Sequence, residues 1–393
     1  MSPLTRSGPV RYARAERFSP PEPTDPLRPA LTDGSVCPQP PSRLDAVMGP
    51  PHDRRPQGED CLALSVVAPA APGPHPVLVF FHGGGFSTGS GLMSWYDGAA
   101  LAAEQGVVVV SASYRVGPLG WLLLDGVSPG NLGLLDQVAA LEWVRDGISA
   151  FGGDPSRVTV AGQSAGAASV VALLGLPRAR GLFRRGIVQS APALAPLEGS
   201  RRDVARVRGR RFAELLGADP LTAPVEQLLA AFGRLAREGT GSVEPPLLPV
   251  LDADPFSAAD APTGDVDLLV GWNRDEMTAF GLPLAEAAAP SRELFASWAD
   301  GVEVTGGYRL DWRPEGSPLG ATHCLELPLL LGDERAWAGS PMLGSTPWTQ
   351  VDAAGRRLRA VWAEFARTGR LVPDEHLPVT WCTGGDLAAL DAG

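Results

Sequence analysis

Gly162-Gln163-Ser164-Ala165-Gly166 follows Arg157-Val158-Thr159-Val160-Ala161, a short β-prone run, and precedes Ala167 to Leu174, small and apolar residues that can continue as a helix. A serine with glycines two places before and after it suits a strained strand-to-helix turn. Small residues let the chain bend sharply and leave the hydroxyl exposed at the tip. Five residues alone fit a glycine-rich loop before a helix equally well, so the pattern takes its weight from what surrounds it.

A hydroxyl is a weak nucleophile until a base removes its proton, and the oxyanion formed on attack needs prealigned donors. Upstream, Val77 to Phe81 reads as an apolar strand running into His82-Gly83-Gly84-Gly85-Phe86. Glycines placed after a strand let backbone N–H groups face a substrate oxygen unobstructed. The base has to be a histidine, and in such an arrangement it follows the serine. Of five histidines, His52, His75 and His82 precede Ser164, leaving His323 and His376. His376 lies in the polar, proline-flanked stretch Pro373 to Pro378, a surface loop. His323 follows a strand-like segment, Gly307 to Trp312, and precedes the apolar Leu325 to Leu331. A loop beyond a strand end is where the base belongs, so His323 is preferred. The orienting acid is expected on a loop after another strand. Val266 to Trp272 is followed directly by Asn273-Arg274-Asp275-Glu276. Either Asp275 or Glu276 could steady the imidazole.

Together these residues resemble the type-B carboxylesterase and cholinesterase-like family. Glu59-Asp60-Cys61-Leu62, Tyr114-Arg115, Asn131-Leu132-Gly133-Leu134, Gln189-Ser190, Arg274-Asp275-Glu276 and Trp362-Ala363-Glu364-Phe365-Ala366 look like its motifs in the right order, from about Tyr12 to about Trp381. The resemblance implies an α/β-hydrolase fold with Ser164 as nucleophile, Glu276 as triad acid and His323 as base. It also implies that Gly84, Gly85 and Ala165 supply the oxyanion-hole N–H groups. Met277 and Cys324 stand where the family usually has a glycine and a small residue. The interval from Glu276 to His323 is short for the family, which implies a shallower, more open pocket. Cys37 and Cys61 match positions bridged in secreted relatives, and in a reducing cytosol they are expected as a thiol pair.

Composition narrows the function classes. The chain has 393 residues, 44% of them hydrophobic, and a net charge of −11. One domain of this size can bury a large core, and the acidic balance argues against nucleic acid or an anionic membrane as partner. All 33 basic residues are arginine. Without lysine, Schiff-base chemistry and a phosphate-loop lysine are excluded. The four cysteines are not closely paired, and no metal site is expected. No cofactor is required. Neither a signal peptide nor an apolar run of spanning length is evident, so a cytoplasmic location is expected.

Strands alternating with helices indicate an α/β fold with a mostly parallel central sheet. Expected helices are Leu134 to Ala150, Ser291 to Ala299 and Ala354 to Arg367. Residues 1–60 are expected as an irregular wrap and residues 195–262 as a helical cap-like insertion. The reading is a serine carboxylesterase acting on short-chain or aryl esters, with Phe86, Trp121 and Trp272 as possible lining of an apolar pocket. The alternatives are a non-catalytic binding protein on the same fold, or a serine acyltransferase or lyase.

Overall fold

A computed structural model describes residues 3–26, 34–53, 55–192, 201–239, 244–251, 266–287, 291–299 and 302–391. Its framework is a ten-stranded mixed sheet. In chain order the strands are β1 (Leu4–Arg6), β2 (Val10–Arg11), β3 (Ala63–Pro69), β4 (His75–Phe81), β5 (Val108–Ala112), β6 (Gly153–Gln163), β7 (Arg185–Gln189), β8 (Asp267–Asn273), β9 (Gly306–Leu310) and β10 (Val379–Thr383). They lie in the order β1-β3-β5-β4-β6-β7-β8-β9-β10, with β2 also paired to β3. The run from β5 to β9 is parallel. At the two ends, β1 and β2 pair antiparallel with β3, β3 with β5, and β10 with β9.

Parallel strands are covered on both faces, which is why they read as continuous apolar runs. In β4, Val77, Val79 and Phe81 enter one core while Leu78 and Phe80 enter the other. The first core holds helices α2 (Leu132–Gly147), α3 (Ala165–Leu174), α4 (Arg201–Leu216) and α5 (Val225–Glu238). The second holds α1 (Ala99–Gln105) and α6 (Trp348–Thr368), whose Leu358, Val361, Trp362 and Phe365 face the sheet.

The N-terminal stretch is more regular than its proline and arginine content suggests. Its β1 and β2 extend the main sheet, and Ala13–Arg14 pairs with Glu22–Pro23. Backbone pairing to β3 overrides the weak local propensity. Within 195–262, α4 and α5 form the expected helices, while 195–200, 240–243 and 252–262 lie outside the described residues. The 291–299 stretch is helical in two short pieces, Ser291–Phe295 and Ser297–Ala299. Among the described residues, no helix is long and apolar enough to cross a membrane, and no cluster suited to a metal ion occurs.

Two buried devices position the loops above the sheet. Arg115, just after β5, pairs in fork fashion with Asp136 of α2, at 2.8 and 2.7 Å. The same carboxylate accepts the Arg115 N–H at 3.0 Å. Cys37 and Cys61 are free, buried thiols. Cys37 Sγ accepts the Val116 N–H at 3.4 Å, tying the 34–61 loop to the chain beside the site.

Candidate active site

Ser164 sits between β6 and α3 with φ 57° and ψ −121°, a conformation that costs a non-glycine residue energy and persists only when its surroundings enforce it. The flanking glycines provide that enforcement. A Cβ on Gly162 would lie 2.4 Å from the Gly166 carbonyl carbon, and one on Gly166 would lie 2.0 Å from the Phe81 carbonyl oxygen. The strand and helix therefore touch where only hydrogens fit. The Ser164 N–H donates to the Gln189 carbonyl at 2.8 Å and its own carbonyl accepts from Ala168 at 2.9 Å, fixing the turn from both sides. The serine remains partly exposed while Gln163 and Ala165 are buried.

The glycine loop after β4 passes over this turn. Gly84 and Gly85 have φ of 112° and 58°, open to glycine at little cost. Among the described residues, none of Gly84, Gly85 and Ala165 donates its N–H to another group. Arg43 and Pro245 stand against Gly85 from outside, Arg43 Nη2 lying 3.3 Å from where its Cβ would be. His82 is stacked on Tyr114 with ring centroids 4.2 Å apart, and burial lowers its pKa to about 4. It serves the loop's packing.

The acid and the histidine come from two loops stitched together. After β8 the chain makes a tight turn, Glu276–Phe280. Asp275 accepts the Ala321 N–H at 2.7 Å, Asn273 Nδ2 donates to the Thr322 carbonyl at 2.8 Å, and Thr278 Oγ1 donates to Thr322 Oγ1 at 2.7 Å. This brings His323 Nδ1 to 2.5 Å from Glu276 Oε2. Glu276 Oε1 accepts from Ser190 Oγ at 2.5 Å and from the Asn273 N–H at 2.7 Å. Asp275 turns the other way and pairs with Arg313 at 2.8 Å through both oxygens. The two acids that sequence left level are separated by direction: Glu276 faces the imidazole and Asp275 staples a loop. His376 is exposed in a surface loop.

His323 and Glu276 are both fully buried. Burial alone would push the histidine's pKa down, but the Glu276 charge and hydrogen bond, helped by Glu326, leave it above the usual 6.5. Glu326 lies behind the pair and accepts from Asn273 Nδ2 at 2.5 Å through Oε2. Among the described residues its Oε1 has no partner. Burial, then the Glu276 charge, push its carboxyl up to about 7. On its other side His323 Nε2 is 3.2 Å from Gln163 Nε2, which seats the ring beside the elbow.

The short Glu276–His323 interval does not leave the histidine open. Phe280 and Phe295 cover the ring, with centroids 5.2 and 5.6 Å from it. Phe86 and Trp121 pack edge to face at 4.9 Å, both buried, and Trp121 also lines a narrow cleft with Arg201, Arg208, Leu247 and Leu248. Trp272, on β8, is 0% exposed and belongs to the core between sheet and helices. Sequence reasoning missed the roles of Ser190, Asn273 and Gln163. All three stood in motifs already noted, but nothing local marked Ser190 and Asn273 as partners of the acid or Gln163 as a partner of the histidine.

The strand order, the elbow after β6 and the acid and histidine after β8 and β9 define an α/β-hydrolase. The chain matches the carboxylesterase family over residues 9–305. It belongs to that family, whose members hydrolyse carboxylic esters. A Rhodococcus erythropolis protein named as a probable N-octanoylanthranilate hydrolase is 41% identical over 92% of this chain and 88% of its own length. The para-nitrobenzyl esterase of Bacillus subtilis is 34% identical over 92% of this chain and 84% of its own. A solved para-nitrobenzyl esterase structure superposes with a TM-score of 0.79 and 32% identity, covering 96% of this chain and 90% of that one. With such coverage the shortening inferred from sequence is minor.

Proposed function

We propose that the protein hydrolyses short-chain or aryl carboxylic esters through an acyl-enzyme, using Ser164, His323 and Glu276. The observation that carries this reading is a buried His323–Glu276 pair seated against the residue that precedes the strained serine. In the first half-reaction Ser164 Oγ bonds to the ester carbonyl carbon and its proton passes to His323 Nε2. Glu276 keeps Nδ1 protonated and stabilises the cation. The N–H groups of Gly84, Gly85 and Ala165 hold the oxyanion. Its collapse breaks the bond to the alcohol oxygen, which leaves with the proton from Nε2. In the second half His323 takes a proton from water, whose oxygen attacks the acyl carbon. The acid departs and Ser164 regains its proton.

The aromatic faces of Phe86, Phe280 and Phe295 near the site favour flat substituents, and both named relatives are identified by aryl-containing compounds. Unbridged Cys37 and Cys61 fit a reducing compartment, and a cytoplasmic location is part of the proposal, to be checked by cell fractionation. A fluorophosphonate probe tests the core of it. The wild type should be labelled on Ser164 and lose ester hydrolysis in parallel. Ser164→Ala should lower kcat by about 10⁴-fold or more and abolish labelling. Labelling at another serine would refute the assignment.

A further inference from the structure

Every hydrogen-bonding valence around His323 can be assigned, and the assignment leaves the nucleophile out. A carboxylate can only accept, so the 2.5 Å contact of Glu276 Oε2 with Nδ1 places the ring proton there. Nε2 then carries the lone pair. The group facing that lone pair is the Gln163 side-chain amide, at 3.2 Å. The amide's orientation is fixed from its other end, because Gln163 Oε1 accepts from Cys324 Sγ at 3.5 Å. Its N–H therefore points at the ring. Ser164 Oγ, one residue away, makes no hydrogen bond among the described residues.

We propose that Gln163 is a positioning residue that engages the base in the resting enzyme, and that His323 is handed to Ser164 only when the amide gives way. This rests on the catalytic reading above. The amide is placed to respond to an occupant of the oxyanion loop. Gly83, which opens that loop, lies so close that a Cβ there would be 2.8 Å from Gln163 Oε1 and 3.2 Å from Ser164 Cβ. A substrate that moves the loop therefore presses on the same amide. When His323 becomes a cation, Nε2 turns donor, and an N–H facing it is repelled. The amide must then present Oε1 instead, at the expense of the Cys324 contact.

A donor on Nε2 stabilises the neutral ring, so Gln163 holds the base's pKa below the value that its carboxylate neighbours alone would give. The ionisable groups around the ring are Glu276, Glu326 and Cys324. Gln163→Met removes the N–H at similar volume, and Gln163→Glu replaces it with an isosteric acceptor. The acidic limb of kcat/KM for para-nitrophenyl butyrate should move upward in the order wild type, Met, Glu. The Glu variant should shift by about one pH unit or more.

An unmoved acidic limb in the Met variant, with folding intact, would overturn the inference, since a merely structural residue would lower activity without shifting it. The Glu variant guards against loss of packing in the Met variant. Phosphonate labelling at Ser164 keeps the two readings apart. Normal labelling with an unmoved limb defeats the inference alone, whereas absent labelling in the wild type defeats the catalytic reading beneath it.

Discussion

Glu276→Gln changes one atom and should remove most of the activity, because the surroundings of that carboxylate dictate how the new amide must lie. Oε1 accepts two donors, Ser190 Oγ at 2.5 Å and the Asn273 N–H at 2.7 Å, while Oε2 accepts only His323 Nδ1 at 2.5 Å. The Asn273 backbone N–H cannot turn away. The glutamine carbonyl will therefore face Asn273 and Ser190, and its NH₂ will face Nδ1. That forces the proton onto Nε2, the nitrogen that has to accept from Ser164. A wrong tautomer in a triad of this kind costs about 10⁴-fold in kcat. At about 1.4 kcal/mol per tenfold, that is about 5.5 kcal/mol of transition-state stabilisation. The neighbouring control is Asp275→Asn, which loses one oxygen of a buried carboxylate that pairs with the half-exposed Arg313 and accepts the Ala321 N–H; it should keep kcat within about fivefold while costing about 1–3 kcal/mol of stability. Steady-state hydrolysis of para-nitrophenyl butyrate, with urea unfolding in parallel, measures both. Equal small losses of kcat in the two variants, with folding intact, would refute the argument.

His323→Ala should be nearly as damaging as loss of the serine, because triad members act as a unit, while His376→Ala should leave kcat within a few-fold. Activity should fall with acid through a midpoint above 6.5, since the histidine's pKa is raised and the neutral ring is the base; a kcat/KM profile with its midpoint below 6.5 would contradict this. The same shift has a stability sign. A folded pKa above the unfolded one gives stabilisation that is full below pH 6.5 and fades as pH rises through the folded value, which a comparison of Tm for wild type and His323→Ala across that window would detect. Asp136→Ala should cost about 3–5 kcal/mol by stranding buried Arg115, read as a lower urea midpoint.

Much of this architecture was legible because it is local. The apolar runs of β4 and β5 and the glycines at 162 and 166 each announce themselves within a few residues. Element ends were less legible. The strand before the elbow begins at Gly153 rather than Arg157, and the closing helix begins at Trp348 rather than Ala354, because pairing and packing extend an element beyond its apolar centre. The choice between Asp275 and Glu276 could not be made from adjacent acids. The structure separates the two by direction, with donors from 190 and 273 beside Glu276 and Arg313 beside Asp275. Gln163 was hidden for the same reason, since its contact spans 160 residues of sequence. The coverage of His323 by Phe280 and Phe295 was equally invisible, because loop length says nothing about which side chains fold over a site.

The turn Glu276–Phe280 carries the orienting acid at its first residue and one of the two rings over the histidine at its last. Under the proposed mechanism, the ring over the base and the acid that aligns it are the two ends of one five-residue turn. A bulky acyl or alcohol group that displaced Phe280 would pull on the segment that holds the imidazole in register, so substrate size is expected to act on how fast bound ester reacts as well as on how tightly it binds.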